Sequence, residues 1–367
     1  MHADTTGPIE YAEKNSIGPP RYDYLDNIKW VLAVLVIFHH AAAIAGQDPF
    51  PLNLPRVIQS MQYQYDTLSR FQAANQGFFM GLYFFISAYF VVPSYNKKGK
   101  WFFLRDKLKR LGIPILLTVF IIDPVVLYIS DENSFFQSMQ NSFTLYGEML
   151  KTYNIVLGVT WFCWTLIVFN MGYIIYRMVA PPQAEATGFR GTMPSFLAIV
   201  TFAIIMIPFD YLALYLMNRL GTDFLGFHLL KFFPMYIAMY CFGIKAYTHQ
   251  WLEQINHKSA FIWLVIWIFA MIFRVIPFET IGMSIFLLYS FRELFNTKNK
   301  WTQMLSRSAY AAYIIQGIPL CFLGKLLIPH MSQMPVVNFL VVGIPSVIIS
   351  FGLGYFLCQL PVLRKIL

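Results

Sequence analysis

Charge is what this sequence has least of. Only 12% of its 367 residues are Asp, Glu, Lys or Arg, about half the roughly 25% usual in soluble domains. A soluble chain of this length can bury a large core, but it still needs a charged exterior. Too few charges are present to build one. Acidic residues are scarcer than basic ones, 18 against 27. Cysteine is scarce as well: Cys163, Cys241, Cys321 and Cys358 lie in separate apolar runs without metal-ligand spacing and read as small hydrophobes, so no metal site is expected. No tandem repeat of fixed period is present, and nothing in the composition marks an appended soluble domain. What remains is apolar, with 57% hydrophobic residues, 18% aromatic and a mean hydropathy of +0.55. The surface must face lipid.

Apolar runs of about 17 to 25 residues mark helices that can cross hydrocarbon. Such runs fall near 30–46, 77–93, 111–129, 153–176, 194–217, 232–248, 259–276, 281–295, 308–328 and 335–360. The expected fold is an all-α membrane protein, a bundle of about ten transmembrane helices. Pro114, Pro124, Pro208, Pro234 and Pro345 fall within or at the ends of these spans. Neighbouring helices and Ser/Thr side chains can satisfy the carbonyls that proline frees. Residues 1–21 read as a loose polar tail, and 22–367 as a single polytopic domain. The run after Trp30 is preceded by acids and a long leader and carries two histidines, so it reads as a helix and not as a cleavable signal.

Orientation follows from cations. With an N-terminus inside, twenty of the 27 Lys and Arg lie in inner segments, seven of them between Lys97 and Arg110. Both termini are therefore expected in the cytoplasm. The positive balance is a topology signal and not a nucleic-acid footprint.

The sharpest chemical feature is in the first span, where Asp26-Asn27-Ile28-Lys29-Trp30 leads through an apolar run to His39-His40. The step of eleven from Lys29 to His40 turns a helix by ~1100°, about 20° beyond three turns, and rises ~16 Å. Lys29 and His40 share a face, whereas His39 points ~80° away from Lys29. A buried histidine can simply tie helices together, but ionisable groups inside a membrane are expensive and mark function. Imidazole titrates near neutrality and can take a proton from an attacking hydroxyl.

The second feature is the run Lys97–Arg110, seven cations facing the single Asp106. It reads either as a topology anchor beside anionic headgroups or as a cradle for a polyanion. Lys107 and Arg110, three apart on a helix, project together, and Arg forks match phosphate oxygens. Asp123, Asp210, Arg274 and Glu279 are further buried or interfacial ionisable groups. Asp123 and Glu279 lie towards the outer ends of their spans, where each would orient an imidazolium or hydroxyl, or simply snorkel to the interface. The Trp161-Phe162-Cys163-Trp164 stretch reads as packing.

These motifs together resemble the integral-membrane acyltransferase 3 family. Lys29 and His40 match its basic residue, ten intervening residues and histidine. Gly81–Tyr89 is similar to its "FFxxSGY" span, with Ala88 where Gly is usual. Lys107–Pro114 is similar to "RxxRLxxP", with Lys107 for the first Arg. Trp161-Phe162 resembles "LWF", and Phe233–Tyr236 with Phe242–Ile244 resembles its sixth span. Leu305–Tyr313 resembles the closing "SxxSYxxYxxH", with Gln316 where the final His is usual. Lysine keeps charge but lacks the bidentate fork, and glutamine hydrogen-bonds but shuttles no proton.

The resemblance implies a multi-pass cell-membrane enzyme. It takes an acyl group, often acetyl, from cytoplasmic acyl-CoA (acetyl-CoA foremost) to a hydroxyl of a cell-envelope glycan, lipid or small molecule, with no metal and no nucleic acid. His40 and His39, with Asp123 and Glu279, are then the candidate catalytic groups. Lys29, Arg105, Lys107 and Arg110 are the candidate donor-binding cations. The alternative is a transporter of an acylated or anionic solute, with the intramembrane His and Asp as proton-coupling groups.

Overall fold

The computed structural model describes residues 22–46, 62–130, 134–180, 191–331, 334–361 and 363–366. The tail read at 1–21, and the segments 47–61 and 181–190, lie outside the described residues. Helix is the regular structure among the described residues, joined by a lone β-bridge between Asn154 and Phe224.

In chain order the helices are α1 (Asp23–Ala45), α2 (Gln62–Tyr89), α3 (Val91–Lys98), α4 (Lys100–Lys107), α5 (Ile113–Leu117), α6 (Asp123–Ser130), α7 (Phe135–Thr152) and α8 (Trp161–Val179). They continue with α9 (Phe196–Leu220), α10 (Phe233–His249), α11 (His257–Phe273), α12 (Ile276–Leu294), α13 (Lys300–Ile315), α14 (Gly317–Met331) and α15 (Pro335–Leu357). Among the described residues, six stretches are long and apolar enough to cross a membrane: Asp23–Ala45, Asp66–Lys98, Lys100–Ser130, Gly158–Val179, Phe196–Leu220 and Pro335–Leu357. The bent pair α13–α14 makes a seventh. The remaining three expected runs fall on α10, α11 and α12. At 17 residues each, α10 and α11 reach only about 25 Å against a ~30 Å core. α12 carries Glu279, Arg292 and Glu293.

α1 is the axle of the bundle. One stripe, Leu25, Ile28, Leu32 and Val36, packs into the main core, and another, Ala33, Ile37, Ala41 and Ile44, into a second core with α13, α14 and α15. A helix apolar on both sides is buried on both sides. The periphery is the opposite. On α9, Leu197, Ile204, Tyr211 and Leu212 are all more than half exposed, an apolar face that water would not tolerate and lipid does.

Small residues set the close contacts. Gly77 and Gly81 form a GxxxG face on α2 against α12, where a Cβ on Gly77 would lie 2.1 Å from Glu279 Oε2 and one on Gly81 2.5 Å from Thr280 Cγ2. Thr280 Oγ1 donates to the Gly77 carbonyl at 2.5 Å. Further along the same face of α2, Ala88 is fully buried against Gly243 of α10. The methyl that replaces the usual glycine is thus accommodated by a glycine on the facing helix.

Prolines break two spans at informative places. Pro114 has no N–H to offer the carbonyl of Arg110, and the backbone widens into a π-helical turn over Leu108–Gly112. Pro319 does the same to Ile315, and the helix breaks at Gln316 with a bend of 64°.

Candidate active site

α1 runs unbroken past both histidines, so the two rings diverge as neighbours on a helix must. His39 turns onto α2, stacked on Phe79 with centroids 5.3 Å apart and planes at 28°. Gln72 of α2 donates to the His39 carbonyl at 3.4 Å. His40 turns instead to the α13–α14 break, where its Nδ1 lies 3.1 Å from Gln316 Oε1.

The partner assigns the proton. Gln316 is fully buried, and its Nε2 donates to the Tyr313 carbonyl at 2.8 Å. A carbonyl only accepts, so the amide oxygen must face the imidazole and His40 Nδ1 must be the donor. The Val36 carbonyl also accepts from the ring. The neutral ring then carries its lone pair on Nε2, the form in which imidazole acts as a base. Glutamine in the position of the family's usual histidine thus fixes a tautomer.

The rim of the bundle at the Lys29 end of α1 gathers the cations. Lys29 Nζ lies 3.0 Å from Asp26 Oδ1 and 4.5 Å from the Phe90 ring centroid. Tyr83 of α2 donates to the Lys29 carbonyl at 2.8 Å. Lys107 extends over Phe103 at 5.3 Å, within the field of Lys29. Asp106 binds Lys98 at 2.7 Å and Arg110 at 3.5 Å. Two carboxylates, Asp26 and Asp106, among four cations leave the patch net positive and open to an anion. The carbonyl of Arg110, freed by Pro114, accepts from the Tyr310 hydroxyl of α13 at 2.9 Å. The basic motif and the closing tyrosine motif are therefore joined by a hydrogen bond. Arg105 stands elsewhere: two residues from buried Phe103, it lies on the opposite, exposed face of α4.

Asp123 and Glu279 are each held by another partner. Asp123 Oδ2 accepts from Tyr146 of α7. Glu279, fully buried, accepts from Arg274 at 3.1 Å, and Arg274 also donates to the Ala73 carbonyl at 3.1 Å. A third imidazole, His228, lies near Trp161. It lies between α9 and α10 with Nδ1 2.6 Å from Asp223 Oδ1, its ring 5.6 Å from that of Trp161. Trp161 stacks in turn on Tyr236 at 5.8 Å, and Gln76 of α2 donates to the Tyr236 hydroxyl at 3.1 Å. Sequence reasoning passed over His228, Asp223 and Gln76, and met Tyr236 and Tyr310 only as members of motifs. His228 lies in a loop with no motif around it, and its only signal is an acid five residues earlier.

A family model described as an acyltransferase domain matches residues 22–355. The match spans nearly the whole chain, and the protein belongs to this family of acyltransferases, which transfer groups other than aminoacyl groups. No curated protein and no solved structure matches it. With its apolar helices, the chain is a membrane acyltransferase, and the transporter alternative is not favoured.

Proposed function

We propose that the protein takes an acyl group, acetyl foremost, from cytoplasmic acyl-CoA to a hydroxyl of a cell-envelope glycan, lipid or small molecule. It would act as one domain of about ten spans over 22–367 in the cell membrane, with both termini inside. The observation that carries this reading is the pairing on α1 of a rim cation with a tautomer-fixed imidazole ~16 Å deeper. Lys29, Lys107 and Arg110 hold the phosphates of coenzyme A at the rim, while Arg105, on the far face of α4, serves as a lipid anchor. The thioester reaches inward between the helices. The acceptor oxygen attacks its carbonyl carbon as His40 Nε2 takes the hydroxyl proton, the C–S bond breaks, and the thiolate departs with coenzyme A. His39 packs beside this centre, and Asp123 and Glu279, with Tyr146 and Arg274, shape its outer end.

The test uses vesicles of known orientation holding the purified protein and an envelope extract. Thiol release from acetyl-CoA, with an acyl mass gained by the extract, is expected only when the donor is on the face bearing Lys97–Arg110. Equal transfer with acetyl-CoA confined to the opposite face would show this route to be wrong.

A further inference from the structure

The span Lys100–Ser130 ends at α6, and the chain beyond it folds into α7, an 18-residue helix about 27 Å long that does not qualify as a membrane-crossing stretch. Its rotation divides the residues among three sides about 120° apart. Ser138 and Ser142 are buried, on the side packed against α6. Gln137, Asn141, Thr144 and Glu148 make a second side, polar and exposed. Phe136, Phe143 and Leu150 make the third. They stand seven residues apart, so each drifts only ~20° from the last, and they are 77%, 40% and 61% exposed. One outward side is thus polar and the other apolar.

α7 is fixed in this posture at both ends. Ser134 and Gln137 close a capping box at its start, with Gln137 N–H donating to Ser134 Oγ at 3.4 Å and Ser134 N–H to Gln137 Oε1 at 3.1 Å. At its end Tyr153 takes a left-handed conformation, φ 57°, and its carbonyl accepts from Leu225 N–H at 2.7 Å. Ile155 N–H donates to the Asp223 carbonyl at 2.9 Å. These bonds also brace the loop between α9 and α10. Between the two ends, Tyr146 donates to Asp123 Oδ2.

The apolar side continues a surface that faces lipid. Phe143 meets Phe120 with ring centroids 5.6 Å apart, and Phe120, Leu116 and Ile121 are all more than half exposed along the span Lys100–Ser130. Phe135 meets half-exposed Tyr128 edge-on at 6.0 Å, an aromatic pair of the kind that marks the boundary between hydrocarbon and headgroups. That boundary lies at the end of the span opposite Lys107 and Arg110. Charge gives α7 no pull of its own, because its two charged residues, Glu148 and Lys151, pair at 2.7 Å. We propose that α7 lies flat in the headgroup layer of the leaflet opposite the cationic rim, with Phe136, Phe143 and Leu150 in the acyl chains. The partner of this surface is lipid, recognised by apolar area and not by charge. Through Tyr146 the seat ties Asp123 to the same layer. The seat holds whether or not the acyl-transfer reading does.

The test uses the purified full-length protein in phosphatidylcholine nanodiscs, with Cys241→Ser and Cys358→Ser so that only the buried Cys163 and Cys321 remain. Spin labels are attached in turn at Phe136→Cys, Phe143→Cys, Leu150→Cys, Gln137→Cys, Asn141→Cys and Glu148→Cys. The first three should be relaxed more by oxygen, which concentrates among acyl chains, than by a water-soluble nickel chelate. The last three should show the reverse. Adding anionic phosphatidylglycerol should change neither. In the wild type, phosphatidylcholine with a photoreactive diazirine in its acyl chain should label the apolar side of α7 as well as the lipid-facing Leu197 and Leu212 of α9. Nickel access at all six positions, with α9 labelled and α7 unlabelled, places α7 in water and overturns the seat. Access for neither reagent at the first three means that a second copy or another protein covers them, and overturns it too. A pattern that appears only with anionic lipid does the same.

Discussion

The two ends of the α1 stripe are built by opposite means. At the rim, Lys29, Lys98, Lys107 and Arg110 come largely from one stretch of chain, remain partly exposed, and rest on aromatic faces and on Asp26 and Asp106. Deeper in, His40 meets a glutamine 276 residues away at the α13–α14 break, and its neighbour His39 stacks on α2. A polyanion needs only a density of cations that can follow it, so the rim can be mobile and redundant. A base must hold one nitrogen towards one proton, which requires neighbours that fix the ring. The difference predicts that damage at the rim raises KM, and damage at the histidines lowers kcat.

The largest effect should come from the deep end. His40→Ala is expected to cut transfer ~10²-fold or more with insertion intact, and His39→Ala far less. Retention of more than about a tenth of the rate by His40→Ala, with His39→Ala inactive, would reverse the assignment. Next comes the ring's anchor. Gln316→Leu removes the acceptor that holds the Nδ1 proton, and kcat should fall about tenfold with KM unchanged, since a mispositioned base loses part of its ~10²-fold contribution. A change in KM alone would place Gln316 with the donor and blur the contrast between the ends.

At the rim, Lys107→Ala and Arg110→Ala should each raise the KM for acetyl-CoA by about tenfold, the equivalent of ~1.4 kcal/mol and typical of a lost charged hydrogen bond. Arg105→Ala, on the exposed face, should not. The effect should shrink in donors stripped of their nucleotide phosphates, and equal KM for full and truncated donors would remove the cradle. The smallest effect belongs to the link between the two motifs. Tyr310→Phe leaves the Arg110 carbonyl without its donor, at a cost of about 1–3 kcal/mol in stability. A thermal unfolding midpoint unchanged from wild type would show that water substitutes for the hydroxyl.

Much of this was legible in the residues. The step from Lys29 to His40 gave a shared face because helical rotation is a local property, and the cations of Lys97–Arg110 could be counted directly. The departures from the family motifs were visible as letters but not as physics. Ala88 is accommodated only because Gly243 faces it. Gln316 reads as a lost proton shuttle until Tyr313 fixes its amide and turns it into the group that sets the His40 tautomer. Asp123 and Glu279 looked equally able to serve an imidazole, and contacts with Tyr146 and Arg274 show where each is engaged.

The sequence by itself determined the helical membrane class, because a backbone in hydrocarbon must satisfy its hydrogen bonds within each apolar run. It also determined the depth of the histidines and the charge of the rim, which follow from rise per residue and composition. Only the tertiary structure decided which nitrogen of His40 carries the lone pair, and that a loop histidine meets an aspartate five residues before it. Those facts depend on contacts between residues 276 and 5 positions apart whose meeting is set by a proline break and by a braced loop, and no local period encodes either.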